Sequence, residues 1–409
     1  MSKSFQHRLA VLSDAAKYDA SCASSNSTRD KPKINGLGST HKAGICHSFT
    51  PDGRCLSLLK ILMTNFCIYD CAYCINRSSS NVERARFKPE EVVWLTLEFY
   101  RRNYIEGLFL SSGIIRSPDA TMEQMVKIVR DLRQVHHFGG YIHLKTIPEA
   151  SEALIQEAGL YADRLSINIE LPTDHAISNL APEKQPNKIR KAMGNIRLNI
   201  EEAGEKTLQS KKTKRYAPAG QSTQMIVGAD NANDQVILSS SARLYSSYRL
   251  KRVYYSAFSP IPDASRQLPI IKPPLMREHR LYQADWLFRF YGFTMEEITS
   301  HRKDGMLSLE MDPKLAWALN NRDKFPVDIN RAEREMLLRV PGLGVKNVKR
   351  ILQTRRFKRL HYSDLQNFRL SLKKIKPFII VDGWSPTHLL DSVKLETLFM
   401  PPPKQLILL

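Results

Sequence analysis

Three cysteines, Cys67, Cys71 and Cys74, lie close together with the spacing C-x3-C-x2-C. Cysteine thiolates are the usual ligands of iron–sulfur clusters, and spacing this tight is typical of a cluster-binding loop. Three thiolates can hold three irons of a four-iron cubane, which leaves the fourth iron open to a small chelating molecule. The alternatives are a zinc knuckle or three buried thiols. A structural zinc site takes four ligands, and no fourth Cys or His follows closely, so the pattern favours a cluster.

This loop, with the aromatic Tyr73 just before its last cysteine, resembles the cluster loop of the radical S-adenosylmethionine (SAM) enzymes. In those enzymes the amino and carboxylate groups of SAM occupy the open iron. One electron from the cluster then cleaves SAM reductively to a 5′-deoxyadenosyl radical. The resemblance implies a [4Fe-4S] cluster on Cys67, Cys71 and Cys74, with SAM as a second cofactor. It also implies that Tyr73 lies near the adenine of SAM.

Three further cysteines remain outside this loop: Cys22, Cys46 and Cys55. All six cysteines of the chain thus lie in its first 74 residues, a concentration that metal binding explains better than disulfides do. The spacing of these three matches no motif. Either they form a second metal site or they are inert thiols. A shared metal would require their sulfur atoms to converge to within roughly 4 Å.

The charge of the chain indicates a polyanionic partner. The net charge is +20 over 409 residues, and residues 321–409 carry 18 Lys and Arg against 8 Asp and Glu, a net of +10. Basicity this strong favours nucleic acid, and the alternative is a solvated lysine-rich surface. There is no apolar run long enough to span a membrane and no signal peptide, so the sequence predicts a cytoplasmic protein with reduced thiols.

A chain of this length favours two or more domains. Apolar runs predict six strands, each followed by a helix, at 56–64, 107–110, 141–147, 165–171, 224–228 and 253–258. Such alternation predicts parallel strands with right-handed crossovers, arranged either as a partial barrel or as an open doubly wound sheet. The resemblance favours the α/β partial (β/α)6 radical SAM barrel. The predicted domains are a loop-rich N-terminal extension (1–55), the radical SAM core (56–262), a helical connector (263–325) and a small all-α domain (326–409).

Polar residues at the predicted strand ends are candidates for binding SAM, because chemistry in such barrels lies at the carboxyl ends of strands. Radical SAM enzymes often carry Gly-Gly-Glu after the second strand, where the acid meets the amino group of SAM. Here that site reads Ser111-Ser112-Gly113, and the acid is absent. Lys145 ends the third strand and either meets a ligand carboxylate or extends to the rim. Asn168 and Glu170 share one face of the fourth strand, where resemblance implies contact with the ribose.

The C-terminal region contains Pro341-Gly342-Leu343-Gly344 between two predicted helices. This resembles the helix-hairpin-helix, a nucleic-acid module in which a glycine hairpin offers backbone N–H groups to a phosphate. The predicted nucleic-acid contacts are Gly342 and Gly344 in the hairpin, with Lys346, Lys349 and Arg350 on the following helix. The alternative is an ordinary αα-hairpin between packed helices.

Taken together, the chain resembles radical SAM proteins described as DNA modification or repair proteins and linked to a partner related to uracil-DNA glycosylases. Beyond the cysteine loop and the glycine hairpin, the resemblance is carried by residues 99–113 and 218–224. It implies a DNA substrate, the glycosylase-like partner and an electron donor of the flavodoxin or ferredoxin type. Two alternatives stay open. One is a radical SAM enzyme that modifies RNA or tRNA. The other is a non-catalytic iron–sulfur DNA-binding partner of a glycosylase.

Overall fold

A computed structural model describes residues 4–16, 44–49, 55–209, 215–262, 265–299, 303–386 and 390–400. The chain divides into two compact units. The first unit comprises residues 1–232 and 240–273, and the second comprises residues 233–239 and 274–409. The finer division into four domains stays a prediction. Among the described residues, no helix is long and apolar enough to cross a membrane.

The first unit is built on one seven-stranded sheet whose strands lie side by side in sequence order. The first strand, β1, pairs antiparallel with β2, and each later strand pairs in parallel with the one before it. A doubly wound sheet reverses its strand order at a switch point, and this sheet has no reversal. The fold is therefore α/β with a curled half-barrel sheet, as predicted. The strands are β1 (Ile45–Phe49), β2 (Cys55–Leu62), β3 (Gly107–Ser111), β4 (Tyr141–Lys145), β5 (Arg164–Ser166), β6 (Gln221–Val227) and β7 (Arg252–Ala257).

Helices connect these strands and cover the sheet. They are α1 (Phe5–Ala15), α2 (Pro89–Arg101), α3 (Pro118–Gln134), α4 (Glu152–Tyr161), α5 (Asp174–Leu180), α6 (Pro186–Gln209) and α7 (Asp234–Tyr248). The side chain of Ser117 caps α3, and Pro118 occupies its first turn, where a missing N–H costs nothing. Met122, Met125 and Val129 of α3 are fully buried against the core. Burial of each such side chain stabilises the fold by about 1.5–3 kcal/mol.

The N-terminal region is more regular than the sequence predicts. The expectation of a loop-rich extension over 1–55 is wrong for two described segments, because α1 and β1 both fall within it. Ser4 caps α1 by accepting a hydrogen bond from the N–H of His7. The carboxylate of Glu91 then fixes the helix by pairing with Arg8. The Arg8–Glu91 pair joins distant parts of the chain, which local sequence patterns do not encode.

The second unit is mainly helical. It contains α8 (Leu275–Phe290), α9 (Met295–Thr299), α10 (Pro313–Asn320), α11 (Arg334–Arg339), α12 (Val345–Thr354), α13 (Tyr362–Asn367) and α14 (Leu372–Ile375). It is not all-α, however, because β8 (Val327–Asp328) pairs in parallel with β9 (Ile379–Ile380). The prediction of an all-α domain is wrong in this respect. Strands of two residues are too short to give a period-two pattern.

Candidate active site

One cavity lies at the carboxyl ends of the strands of the first unit. It brings together every residue predicted to hold the [4Fe-4S] cluster or SAM, although these residues come from four separate segments of the chain. Parallel strands place their carboxyl ends at one edge of a sheet, which explains the convergence. The predicted residues that line the cavity are Cys67, Cys71, Tyr73, Cys74, Ser111, Ser112, Gly113, Lys145, Asn168 and Glu170.

The cysteine loop follows β2 and is held by polar contacts along its length. The carboxylate of Asp70 accepts hydrogen bonds from the backbone N–H of Ser79 at 2.9 Å and the hydroxyl of Ser78 at 3.1 Å. The guanidinium of Arg84 donates to the carbonyl oxygens of Arg77 at 2.6 Å and Ser80 at 3.0 Å. A loop with many such internal contacts can present its thiols in one fixed arrangement.

The thiols of this loop suit a metal cluster chemically. Burial raises the pKa of Cys71 to about 12 and the pKa of Cys74 to about 11. A coordinated thiol is deprotonated outright, so bound iron would offset the free-energy cost of deprotonating these buried thiols. The backbone N–H of Ile114 points at the sulfur of Cys67, 3.5 Å away. Hydrogen bonds to cluster sulfurs tune iron–sulfur centres. These residues therefore fit the cluster that the loop pattern implies.

The short loop after β3 packs directly against the cysteine loop. The N–H of Gly113 donates to the carbonyl of Thr64 at 2.8 Å. A Cβ placed on Gly113 would lie 2.2 Å from the carbonyl oxygen of Phe66, which no real side chain tolerates. Position 113 must therefore be glycine for backbone packing. An acid is absent here for a structural reason, because this position has no room for one.

A buried ion pair crosses the cavity. The ammonium of Lys184 contacts a carboxylate oxygen of Glu170, and their side chains are 17% and 7% exposed. Burial lowers the pKa of Lys184, but the charge of Glu170 raises it, and the net shift is upward. Asn168 lies beside this pair, with its amide nitrogen 3.4 Å from the amide oxygen of Gln224. Glu170 has a φ of +67°, a left-handed conformation that costs free energy in a residue with a side chain.

Tyr73 lies against the cluster side of the cavity. Burial raises the pKa of its hydroxyl well above the ordinary value, and the charge of Glu170 adds to the effect.

The sequence did not single out several other residues that line the same cavity: Tyr69, Asn76, Glu149, Lys184 and Gln224. Glu149 follows β4 by four residues, so a search for acids just beyond strand ends would have found it. Lys184 lies before α6, on a connection whose path the sequence pattern does not reveal.

The predicted second metal site does not form from the residues described. Cys46 and Cys55 belong to the β1–β2 hairpin, where Cys46 lies opposite Leu58 and Cys55 lies opposite Phe49. The two cysteines are therefore about 10 Å apart along the hairpin and point to opposite faces of it. Cys46 packs in an apolar cluster with Leu58, while Cys55 is exposed. The structure thus separates this pair, and Cys22 lies outside the described residues.

The glycine hairpin of the second unit joins α11 to α12. Gly342 has a φ of +86°, which requires glycine, whereas Gly344 has an ordinary φ of −99°. Leu343 is buried, and its carbonyl accepts a hydrogen bond from the ammonium of Lys314. The backbone N–H of Val345, at the start of α12, acts on the hydroxyl of Tyr291 and lowers its pKa, although burial raises that pKa overall. The phosphate contact at the hairpin stays a prediction.

The exposed face of α12 carries the predicted basic residues. Lys346, Lys349 and Arg350 are all exposed, and the guanidinium of Arg350 lies 4.3 Å from the ring centre of Phe368. Other basic side chains in the region hold the fold instead. Arg355 donates to the carbonyl of Ala332 at 2.7 Å, and Lys358 pairs with Asp364.

Part of the chain matches a known protein family. Residues 61–210 match the model of the Radical SAM superfamily. Among solved structures, the chain is similar to the [FeFe]-hydrogenase maturase HydG from Carboxydothermus hydrogenoformans, with 13% identity, a TM-score of 0.41, and coverage of 55% of this chain and 49% of that one. It is also similar to methylornithine synthase PylB, with 15% identity, a TM-score of 0.41, and coverage of 54% of this chain and 60% of that one. No curated protein matches the chain.

Residues 61–210 thus resemble a radical SAM domain, and that family implies a [4Fe-4S] cluster and SAM. The chain spans about half the length of the structures it matches.

Proposed function

We propose that this chain is a radical SAM enzyme that modifies or repairs DNA. Cys67, Cys71 and Cys74 hold the cluster, while Lys145, Asn168 and Glu170 bind SAM, all within one cavity of the first unit. When bound, the cluster supplies the electron that cleaves SAM to methionine and a 5′-deoxyadenosyl radical. The protein residues hold SAM in place and keep its reactive carbon away from water.

The observation that carries the DNA assignment is the exposed face of α12. Within the described part of the chain, Lys346 and Lys349 have no acidic or hydrogen-bonding partner for their side chains. Their charges are therefore available to phosphate. The ring of Phe357, three residues beyond α12, is 90% exposed between Arg356 and Lys358. An exposed aromatic ring on a basic surface suits stacking on a base. A polyanion that also displays bases fits both features.

DNA titration at several salt concentrations tests this assignment. Each phosphate neutralised contributes about 0.9 to the salt slope on duplex DNA. The triple variant Lys346→Ala, Lys349→Ala and Arg350→Ala should therefore lower the slope by up to about 3 units. The matched control is Arg101→Ala, Arg102→Ala and Lys127→Ala, which removes three exposed cations that already pair with acids of the first unit. This control should leave the slope nearly unchanged.

The remaining functions are outcomes of the same titration. If RNA displaces DNA decisively, the substrate is RNA or tRNA and the DNA assignment is wrong. If DNA binds while reduced protein with a full cluster leaves SAM intact, the chain is a non-catalytic iron–sulfur partner. An unchanged slope in the triple variant would mean that the α12 face does not bind nucleic acid.

Two protein partners complete the proposal, and both rest on the resemblance of the sequence. A flavodoxin- or ferredoxin-type donor reduces the cluster, and a protein related to uracil-DNA glycosylases acts on the same DNA. Mixing the purified proteins and measuring SAM cleavage against dithionite-reduced protein tests the first. Co-purification of the glycosylase-like protein with the intact chain, at a salt concentration that removes DNA, tests the second.

A further inference from the structure

The carboxylate of Glu149 is shielded, and the donor that acts on it is the backbone N–H of the same residue. Both of its oxygen atoms are shielded from solvent, and neither accepts a hydrogen bond from another described residue. Burial raises the pKa of this carboxyl group. Leaving a buried acceptor short of hydrogen bonds is costly, and more so for a charged group. Such a group calls for an explanation, and a ligand that supplies the missing donor is one.

The carboxylate belongs to the cavity that contains the three thiols. Glu149 lines this cavity just beyond β4, four residues after Lys145. The charges that act most on it are those of Lys184 and Glu170, which line the same cavity. Lys184 cannot serve as its counterion at full strength, because its ammonium already contacts Glu170. Lys184 therefore compensates Glu149 only in part, and Lys188 adds a weaker attraction, so this carboxylate can still attract a cation that enters the cavity.

SAM needs such a negative charge, since its methionyl group carries an ammonium. The sequence position where radical SAM enzymes often carry the acid for this group is Gly113. No side chain fits there, because its Cβ would lie 2.2 Å from the carbonyl oxygen of Phe66. The hydroxyl of the neighbouring Ser112 donates to the carbonyl of Gly113 at 2.6 Å. Any acid that meets the ammonium must therefore come from another element.

We propose that Glu149 binds the methionyl ammonium of SAM in place of the acid that position 113 cannot hold. This inference rests on the proposed function, since it requires SAM in the cavity. Lys145, the last residue of β4, lines the same cavity, where it can meet the carboxylate of the same methionyl group. The end of β4 and the loop after it then recognise both charged groups of the amino-acid part of SAM.

The test compares Glu149→Gln with Glu152→Gln in protein reconstituted with its cluster. Glu152 begins α4, is exposed and does not line the thiol cavity, so it controls for loss of a nearby charge. Binding is measured by equilibrium dialysis with SAM and with an analogue in which hydrogen replaces the amino group. Hydrogen bonds to charged groups contribute about 1.5–3 kcal/mol, so Glu149→Gln should weaken SAM binding about 10- to 100-fold. Iron content and cluster absorbance should stay unchanged.

The analogue separates recognition from general damage. Wild-type protein should prefer SAM over the analogue, and Glu149→Gln should bind both equally. Glu149→Asp, which keeps the charge, should restore part of the preference. Without SAM, Glu149→Gln should also melt at a higher temperature than wild type, because the buried charge, compensated only in part, is gone.

Different results overturn different claims. Equal SAM affinity in wild type and Glu149→Gln would overturn the role of Glu149 alone. So would a variant that loses affinity for SAM and for the analogue by the same factor, since that points to a structural role. If wild-type protein with a full cluster binds no SAM, the proposed function itself fails, and this inference fails with it.

Discussion

Each unit of the protein buries a lysine, and the two lysines are held in opposite ways. Lys184, in the cavity of the first unit, contacts the carboxylate of Glu170, and its pKa is raised on balance. Lys314, behind the hairpin of the second unit, donates to the carbonyl of Leu343, and burial lowers its pKa to about 7. The first cation pairs with a buried acid, whereas the second donates to a backbone carbonyl beside the ring of Tyr291, and the charge of Asp312 offsets its burial only in part.

The difference suggests what each unit binds. The cavity of the first unit contains both signs of charge, with Lys145 and Lys184 beside Glu149 and Glu170, which suits a small zwitterion. Around the hairpin of the second unit the balance is positive because of the exposed residues Lys346, Lys349 and Arg350 of α12. A positive field of this kind suits a polyanion. The predictions below test this separation, from the largest expected effect to the smallest.

Loss of one cluster thiol should abolish the function of the first unit and leave DNA binding by the second unit unchanged. Cys71→Ala should abolish the cluster absorbance and SAM cleavage, because two thiolates of the loop cannot hold a cubane in place. DNA affinity should stay unchanged. Iron analysis after anaerobic reconstitution, followed by DNA titration, measures both effects. The control is Cys55→Ala, which removes an exposed thiol and should keep about four irons per chain. Stoichiometric zinc with no iron in wild-type protein would contradict the account.

Removal of one partner from the ion pair of the first unit should be strongly destabilising. Glu170→Ala leaves the ammonium of Lys184 buried and uncompensated, which typically costs about 3–5 kcal/mol. It should also weaken SAM binding while iron content is retained. In urea unfolding of the cluster-free protein, the double variant with Lys184→Ala should lose less than the sum of the two single changes. Additive losses, together with unchanged SAM affinity, would mean that the pair is unimportant for both fold and site.

The lowered pKa of Lys314 predicts that the stability of the second unit depends on pH. Between pH 7 and about 10.5 the unfolded chain binds the proton that the folded chain has released. The free energy of unfolding of the second unit should therefore rise with pH in this window, by up to about 1.4 kcal/mol per pH unit. Below pH 7 the penalty for burying the charge is present in full. Lys314→Met should remove this contribution, and urea unfolding at pH 7, 8 and 9 measures the difference.

Tryptophan fluorescence is a suitable signal for that experiment, since Trp286, Trp317 and Trp384 all belong to the second unit. Identical pH slopes in wild type and Lys314→Met would show that burying the charge of Lys314 carries no larger free-energy penalty than burying that of Lys184. The comparison of the two units would then lose its basis.

The two hairpin glycines should respond differently to the same small change. Gly342→Ala should cost about 1–2 kcal/mol because its φ is positive, and its Cβ would lie 3.0 Å from Ile375. Gly344→Ala should keep full stability, because its Cβ meets only the hydroxyl oxygen of Tyr291 at 3.5 Å. Its DNA affinity should nevertheless fall, and Gly344→Val should lower it further by obstructing a phosphate. A Gly344→Val variant that binds DNA as wild type does would exclude the hairpin as the contact.

The sequence revealed most of the sheet and the outline of the site. The six parallel strands could be predicted because buried apolar runs alternate with amphipathic helices. The fourth predicted strand, 165–171, is wrong in length, because β5 ends at Ser166 and the backbone turns left-handed at Glu170. It rejoins the sheet only through a bridge between Glu170 and Met225. A turn that tertiary contacts impose leaves no mark in the hydrophobic pattern.

The parts of the site that sequence reasoning missed lie on connections rather than on strands. Glu149 and Lys184 line the cavity from the loops after β4 and before α6. Proximity to a strand end could have indicated Glu149, whereas the loop that carries Lys184 has no periodicity to read. The absence of the acid at Gly113 was visible in the sequence, but its cause was not. Only the position of the carbonyl of Phe66 explains why that residue must be glycine.

The central claim is that the first unit holds a cluster and SAM in one cavity and uses them together. The most direct test is to incubate anaerobically reconstituted, dithionite-reduced protein with SAM and to quantify 5′-deoxyadenosine and methionine by chromatography. Wild-type protein should form both products in equal amounts, and Cys71→Ala should form neither. Wild-type protein that carries a full complement of iron yet leaves SAM intact, with and without DNA, would contradict the account.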